Sequence, residues 1–290
     1  MTKDKLRVVI IISPDIQDKY LASNILDEFN VVGIFIEPQY RTVSAVENAA
    51  KKISKLSLKD TVNIYGLGKK ILDKIYFRNY EKRVSEIFHK SFYNKGEIID
   101  SYNGCPVYRT KLRDISSPEN VMLLKELKPD VIAACGCSIL RENLLEVPPL
   151  GTINLHSGIA PRYRGCSCYF WALYNNEPEY VGVTVHYVTP GIDDGDIIHQ
   201  GRPELVDDDN EIKIFVKLME VGTQLMIKSL HEIEDGTVKG YAQTEKGKLY
   251  LDNMTTVTHF RELHKKLRDG LIREYLANQN RRIAKARIIE

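Results

Sequence analysis

The apolar residues from Leu6 to Ser13 (LRVVIIIS) run without a polar alternation, the pattern of a strand buried on both faces. From Asp15 to Phe29 they shift to helical spacing at Leu21, Ile25, Leu26 and Phe29, and Val31 to Glu37 returns to a strand pattern. This β-α-β opening predicts a mostly parallel, Rossmann-like α/β sheet. The alternation resumes later. Pro118 to Leu127 reads as a helix with Ser116 or Ser117 near its N-cap, and Val131 to Cys135 as a buried strand. Val147 to Ile153 is strand-like, and Cys166 to Asn175 is a helix whose Phe170, Trp171 and Tyr174 suit a core. Val181 to Val188 alternates, with His186 on the polar side, where it reads as a packed or partly exposed histidine rather than a base. Ile197, Ile198 and Gln200 begin another strand.

Beyond Val206 the pattern changes. Asp207, Asp208 and Asp209 precede an amphipathic helix from Glu211 to Ile233, acids placed to suit the helix dipole. A turn-rich, strand-like stretch around Tyr241 to Tyr250 follows, then a helix from Thr258 to Leu276 and a basic tail at Arg281 to Arg287 that reads as a solvated end. The expected organisation is residues 1–205 as the catalytic α/β domain, with a helical insertion at about 42–95, and residues 206–290 as a mainly helical extension.

The insertion is the least typical part, with aromatics (Tyr65, Tyr76, Phe77, Tyr80, Phe88, Phe92, Tyr93) and a basic excess (Lys69, Lys70, Lys74, Arg78, Lys82, Arg83). It reads as packed aromatics with solvated charges, and a partner or membrane-surface helix or a lid over an anionic substrate stay open. Gly66-Leu67-Gly68, after a strand-like Val62 to Tyr65, is a fragment of a phosphate-binding turn and reads as an ordinary turn. Ile98 and Ile99, then Pro106 to Tyr108, read as short strands beside an active site. Ser13-Pro14-Asp15 lacks G-x-G-x-x-G, against a dinucleotide there.

At 290 residues, 43% hydrophobic and 28% charged, the chain can bury a sizeable core, and its net charge of +2 gives no global drive toward nucleic acid or anionic membrane. No apolar run approaches the ~20 residues of a membrane span. The N-terminal apolar run is too short for a signal peptide and reads as the first strand. Five cysteines argue against a disulfide framework and for a reducing cytoplasm. Cys135-x-Cys137 and Cys166-x-Cys168 are too closely spaced for structural zinc, so no metal is expected.

The chemistry concentrates in Thr152 to Gly165 (TINLHSGIAPRYRG). Asn154 and His156, two apart in extended backbone, point to one side at a strand end, where open α/β sheets place their sites. A carboxylate cluster, Ile192-Asp193-Asp194-Gly195-Asp196, follows the next strand. An amide, an imidazole and a carboxylate on neighbouring strand ends make a donor, a proton carrier and an orienting base. Asn-x-His, Pro-Arg-Tyr-Arg-Gly and Ile-Asp-x-Gly-Asp, in this order, resemble the catalytic domain of the formyltransferases that use 10-formyltetrahydrofolate. The match is good from about Lys128 to Gln200.

That resemblance implies Asn154, His156 and Asp193 as catalytic, a folate pocket with Gly136, Ile139, Leu140, Asp194 and Gly195, and no metal. Arg162, Arg164 and Ser157 are the candidates for holding the acceptor. It implies 10-formyltetrahydrofolate as donor and an anionic small-molecule amine as acceptor, with a nucleotide-linked amino sugar favoured. Glycinamide ribonucleotide, a hydroxyornithine-type amino acid, or simple hydrolysis of the formylfolate are the alternatives. The mainly helical extension, where tRNA-directed members carry a barrel, argues against nucleic acid; a homodimer is allowed.

Overall fold

The computed structural model describes residues 5–38, 64–96 and 104–289. Its centre is a seven-stranded sheet in the order β3-β2-β1-β4-β5-β7-β8. The strands are β1 (Arg7–Ile12), β2 (Asn30–Ile36), β3 (Val107–Arg109), β4 (Val131–Cys135), β5 (Thr152–His156), β7 (Val183–Tyr187) and β8 (Ile197–Gly201). From β3 to β5 every pairing is parallel; β7 then runs antiparallel to both β5 and β8. The mostly parallel α/β sheet expected from the apolar runs is therefore present.

Why β1 reads as an unbroken apolar run is visible in its two faces. Val8, Ile10 and Ile12 enter one core, with α1 (Ile16–Glu28) and α6 (Glu211–Asp235); Val9 and Ile11 enter another, with α3 (Pro118–Leu127). Both faces are dry, so neither tolerates polar residues. The boundary expected at residue 205 falls just before α6, whose Ile214, Leu218, Met226 and Leu230 belong to the same core as the strands. Asn210 caps α6 by accepting from the backbone N–H groups of Ile212 and Lys213, and Ser117 caps α3 by accepting from Asn120.

Several sequence expectations need correction. The strand read at Val147 to Ile153 begins only at Thr152: Pro148 and Pro149 have no N–H to give a ladder. Ile64 and Tyr65, read as a strand end, open the long helix α2 (Ile64–Gly96), and Gly66 and Gly68 are helical rather than a turn. The aromatics of α2 decide this. Phe92 lies 4.9 Å from Tyr20 of α1, and Tyr80 and Phe77 lie 4.9 and 5.5 Å from Phe260. The strand read at Ile98 and Ile99, the start of the one read from Val62, and insertion residues 42–63 fall outside the described residues. β3 forms the far edge of the sheet, not a wall beside β5.

The helix read from Thr258 to Leu276 is two, α7 (Val257–Arg268) and α8 (Leu271–Ala277), followed by α9 (Gln279–Ile283). Gly270 at φ +99° makes the break, a conformation a side chain resists. The helix read from Cys166 starts at Cys168 (α5, Cys168–Tyr174), because the chain before it is used as β6 (Tyr163–Gly165), parallel to β9 (Lys248–Tyr250). Trp171 of α5 stacks on Tyr250 of β9 at 4.8 Å, tying the extension to the loop after β5.

Since Phe92 is 2% exposed and joins α2 to α1, Phe92→Ala should cost about 3–5 kcal/mol of unfolding free energy, read from urea denaturation.

Candidate active site

Asn154 and His156 leave β5 on the same side. The antiparallel register puts His186 directly opposite Asn154, and Thr184 opposite His156, so four side chains share one face. Asp193, in the loop between β7 and β8, comes over this face. Its Oδ2 is 3.4 Å from His156 Nδ1 and its Oδ1 is 3.4 Å from His186 Nε2, while the Gly165 N–H donates to Oδ2 at 2.7 Å. Asp193 itself sits at φ +47°, a conformation a residue with a side chain adopts only when held.

The loop is held from outside. Arg164, 8% exposed, donates twice to the Ile192 carbonyl, at 2.9 and 2.5 Å, and lies 3.7 Å from the Asp194 carboxylate. The Gln243 amide donates to the Asp193 and Gly195 carbonyls at 3.0 and 2.7 Å. Thr189 donates to Asp194 at 2.6 Å. A second layer fixes the chain after His156. Thr184 donates to the Gly158 carbonyl at 2.6 Å and accepts from the Ala160 N–H and the Gln200 amide. A Cβ on Gly158 would lie 2.6 Å from His156 Nε2, so the imidazole stands where only glycine allows it.

Carbonyl partners fix the ring protons. His186 Nδ1 is 2.8 Å from the Tyr187 carbonyl, which can only accept, so Nδ1 carries the proton and Nε2 accepts from the Asn154 amide at 3.3 Å. His156 Nε2 is 3.0 Å from the Tyr163 carbonyl and donates to it. Burial pushes the His156 pKa down, against the pull of the Asp193 carboxylate, so at neutral pH the ring rests neutral. Burial opposes ionisation of Asp193 too, but the positive charge His156 takes on when protonated and the Gly165 N–H outweigh it and hold the carboxyl well below the usual range.

The opposite face of β5 borders an open cavity of about 1420 Å³, where Leu155 and Ser157 emerge. Gly136 and Ile139, two of the expected pocket residues, also line it, and Ile139 is 65% exposed. Leu140 does not: it is turned into the α3 core, because the backbone alternates and Ile139 has taken the open side. Asp194 and Gly195 serve the Asp193 loop rather than the cavity. The two candidate arginines depart from their expected task. Arg164 is consumed by the loop, and Arg162 points outward, paired with Glu177 at 2.6 Å and lying over the Tyr180 ring.

His186 and Thr184 were not expected here. Their signal was the alternation itself, since Val183 and Val185 face the core as Ile153 and Leu155 do. The direction of β7 was missing. Asp18, another unexpected group, lines the cavity at 5% exposed, accepting from Ser13 Oγ at 2.6 Å and from Cys135 Sγ at 3.6 Å. Burial raises its pKa to about 6.

Residues 34–230 match the formyl transferase family. The chain is 28% identical over 251 residues to a methionyl-tRNA formyltransferase of Kosmotoga olearia, covering 86% of this chain and 66% of the relative. It thus spans just under two-thirds of that relative's length. Among solved structures it resembles a sugar N-formyltransferase from a Shewanella species, with TM-score 0.53, 15% identity, and coverage of 89% of this chain and 86% of that one. It also resembles a phosphoribosylglycinamide formyltransferase from Anaplasma phagocytophilum, with TM-score 0.55, 16% identity, and coverage of 86% and 100%. At such identities the two structures establish a shared fold.

Two measurements test the electrostatics. The His156 ring should titrate below 6.5 by NMR, and lower still in Asp193→Asn, where the carboxylate that supports the imidazolium is gone. Asp18 binds a proton more tightly folded than unfolded, so its contribution to stability is lost as pH rises from about 4 through about 6. Asp18→Asn should therefore raise Tm at pH 8, with the gap closing below pH 4.

Proposed function

Because this chain belongs to the formyl transferase family, we propose that it moves the formyl group of 10-formyltetrahydrofolate onto a primary amine. The observation that carries the reading is the meeting of Asn154, His156 and Asp193 at the end of β5, with His186 behind the amide. The exposed Ile139 offers an apolar ledge for a pterin ring, and Gly136, at φ +64°, leaves the room that the Asp18 carboxylate takes beside it.

The donor, when bound, supplies a formyl carbon that an amine can attack; one C–N bond forms and one breaks, and a proton passes from the acceptor nitrogen to the departing one. The residues supply the rest. Asn154 spends one amide hydrogen on His186 and keeps the other for the negative charge that gathers on the formyl oxygen. His156, neutral at rest, takes the proton the amine sheds, and Asp193 stabilises the resulting imidazolium and holds the ring's plane. The proton then returns to the leaving nitrogen.

For the acceptor, a nucleotide-linked amino sugar is the reading we favour. It is supported by the helical, aromatic extension that packs onto α5, and by the fold shared with sugar N-formyltransferases. A second reading has its own support: the sequence relative reported above acts, by its name, on methionyl-tRNA. Turnover of 10-formyltetrahydrofolate against nucleotide-linked amino sugars, glycinamide ribonucleotide and charged initiator tRNA separates them, and reaction with the tRNA alone would sink the sugar reading. Formate release with no acceptor present would instead mark a hydrolase.

Asn154→Ala and His156→Ala should each lower kcat/KM at least about a hundredfold, the loss of one oxyanion donor or proton carrier. Asp193→Ala should leave no measurable transfer. Far-UV circular dichroism should be unchanged in all three.

A further inference from the structure

β8 is the last strand of the sheet, and its open edge is met at two points by segments from beyond α6. At one end Ile197 and Tyr241 exchange backbone hydrogen bonds of 2.9 and 2.8 Å. At the other the Gln200 N–H donates to the Ile289 carbonyl at 2.6 Å, and the Ile289 N–H donates to the Gln200 side-chain oxygen at 3.1 Å. The stretch read as a solvated end, Arg281 to Arg287, leads into this contact. Within it Ala286 is 2% exposed, and its carbonyl accepts from Arg202, whose Nε donates to the Glu179 carbonyl at 2.6 Å. α9 is fixed to the same place, since Arg282 donates to the Glu179 carboxylate at 2.9 Å.

Gln200 is buried, and both ends of its amide are engaged. While Oε1 accepts from Ile289, Nε2 donates to the Ala160 carbonyl at 2.7 Å and to the Thr184 hydroxyl at 3.0 Å. Only one orientation of the amide satisfies all three. Turned over, it would set its NH2 against the Ile289 N–H and its oxygen against the Ala160 carbonyl. The Thr184 hydroxyl is fully used as well, accepting from Gln200 and from the Ala160 N–H and donating to the Gly158 carbonyl. Both backbone polar groups of Ala160, and the carbonyl of Gly158, are thereby held from behind. These residues carry the chain from His156 to Tyr163, whose carbonyl receives the His156 Nε2 proton at 3.0 Å. The path from Ile289 to the imidazole therefore runs through one side-chain amide and one hydroxyl.

We infer that Gln200 is a positioning residue for His156, and that the backbone of Ile289 fixes its amide in the working orientation. The inference rests on the transferase reading above and adds a residue that acts through the loop after β5. Without its Ile289 partner the buried amide is free to turn, and the Ala160 carbonyl and Thr184 hydroxyl lose their donor. The loop then relaxes, and the imidazole with it. A shift of this kind shows in turnover rather than in donor binding, because it moves the proton carrier and leaves the 136–139 loop in place.

The experiment compares full-length wild type with Gln200→Leu, Ile289→Pro and their double variant. Leucine keeps the bulk and loses the hydrogen bonds; proline keeps the carbonyl and loses the N–H. Formyl transfer is followed well below each chain's Tm, with the best acceptor among nucleotide-linked amino sugars, glycinamide ribonucleotide and initiator tRNA, and the Kd of folinic acid is measured by calorimetry. Each single variant should lower kcat about tenfold or more, with both KM values and the folinic acid Kd within about twofold of wild type. Since the two act through one amide, the double variant should lose no more than Gln200→Leu alone. Arg287→Ala, which removes an exposed charge from the same segment, should keep kcat within about twofold. A loss there equal to that of Ile289→Pro would put the segment's charge rather than its backbone at work and overturn the assignment. Additive losses, a change confined to KM, or a lowered Tm with kcat unmoved would overturn it too, and all of these leave the transferase reading standing. Ile289→Pro, at the edge of the sheet, keeps the test open if Gln200→Leu fails to fold. A wild-type chain that binds folinic acid and formylates none of these amines would sink the transferase reading first, and the positioning role with it.

Discussion

A buried carboxylate between two imidazoles and a backbone N–H is the constraint around which the site is arranged. Asp193 is 13% exposed and sits in a left-handed backbone conformation, so two costs are met at one residue. Arg164, Gln243 and Thr189 meet them by tying the loop's carbonyls and the neighbouring Asp194. Arg164, expected to hold the acceptor, is thus turned inward, where it ties the loop that carries Asp193. The side chains that meet at Asp193 are few; those that hold its loop are more numerous.

What the sequence disclosed follows the range of the interactions involved. Asn154 and His156 are legible because two-residue alternation is local and needs no partner. Asp193 is legible through its motif. His186 is not, because its role depends on β7 running antiparallel to β5, a fact of topology rather than of the eight residues around it. Leu140 failed for a related reason: the one-residue step from Ile139 decides which side is core, and only the packed α3 layer settles it. In α2, the Gly66 and Gly68 turn signal was outweighed by aromatics with partners on α1 and α7 that lie far away in sequence.

The reversal of β7 also decides which side chains face one another across β5. β7 ends beside Ile153 at the start of β5, so the loop that follows it has to fold back across the polar face for Asp193 to reach His156. With β7 antiparallel, the polar positions of both strands stack on one face, and the loop that leaves β7 passes within reach of His156 and His186. The apolar positions, Ile153, Leu155, Val183 and Val185, are then free to build the core that ends at the cavity.

Helix α2 and the C-terminal helices follow from the same division. The core on the face of the sheet that carries α1 and α6 takes its outer cover from parts of the chain beyond the strands. Tyr76, Tyr80 and Phe88 supply it from one side and Phe260 from the other, joined through His264, which bonds Tyr76 at 2.6 Å and the buried Glu211 at 2.6 Å. His264 thus ties α2 to the start of α6, and the Arg261–Asp73 ion pair at 3.0 Å joins α2 to α7 as well. The wall that Tyr80, Phe88 and Phe260 give the cavity is therefore set by parts of the chain that lie outside the α/β core of the fold.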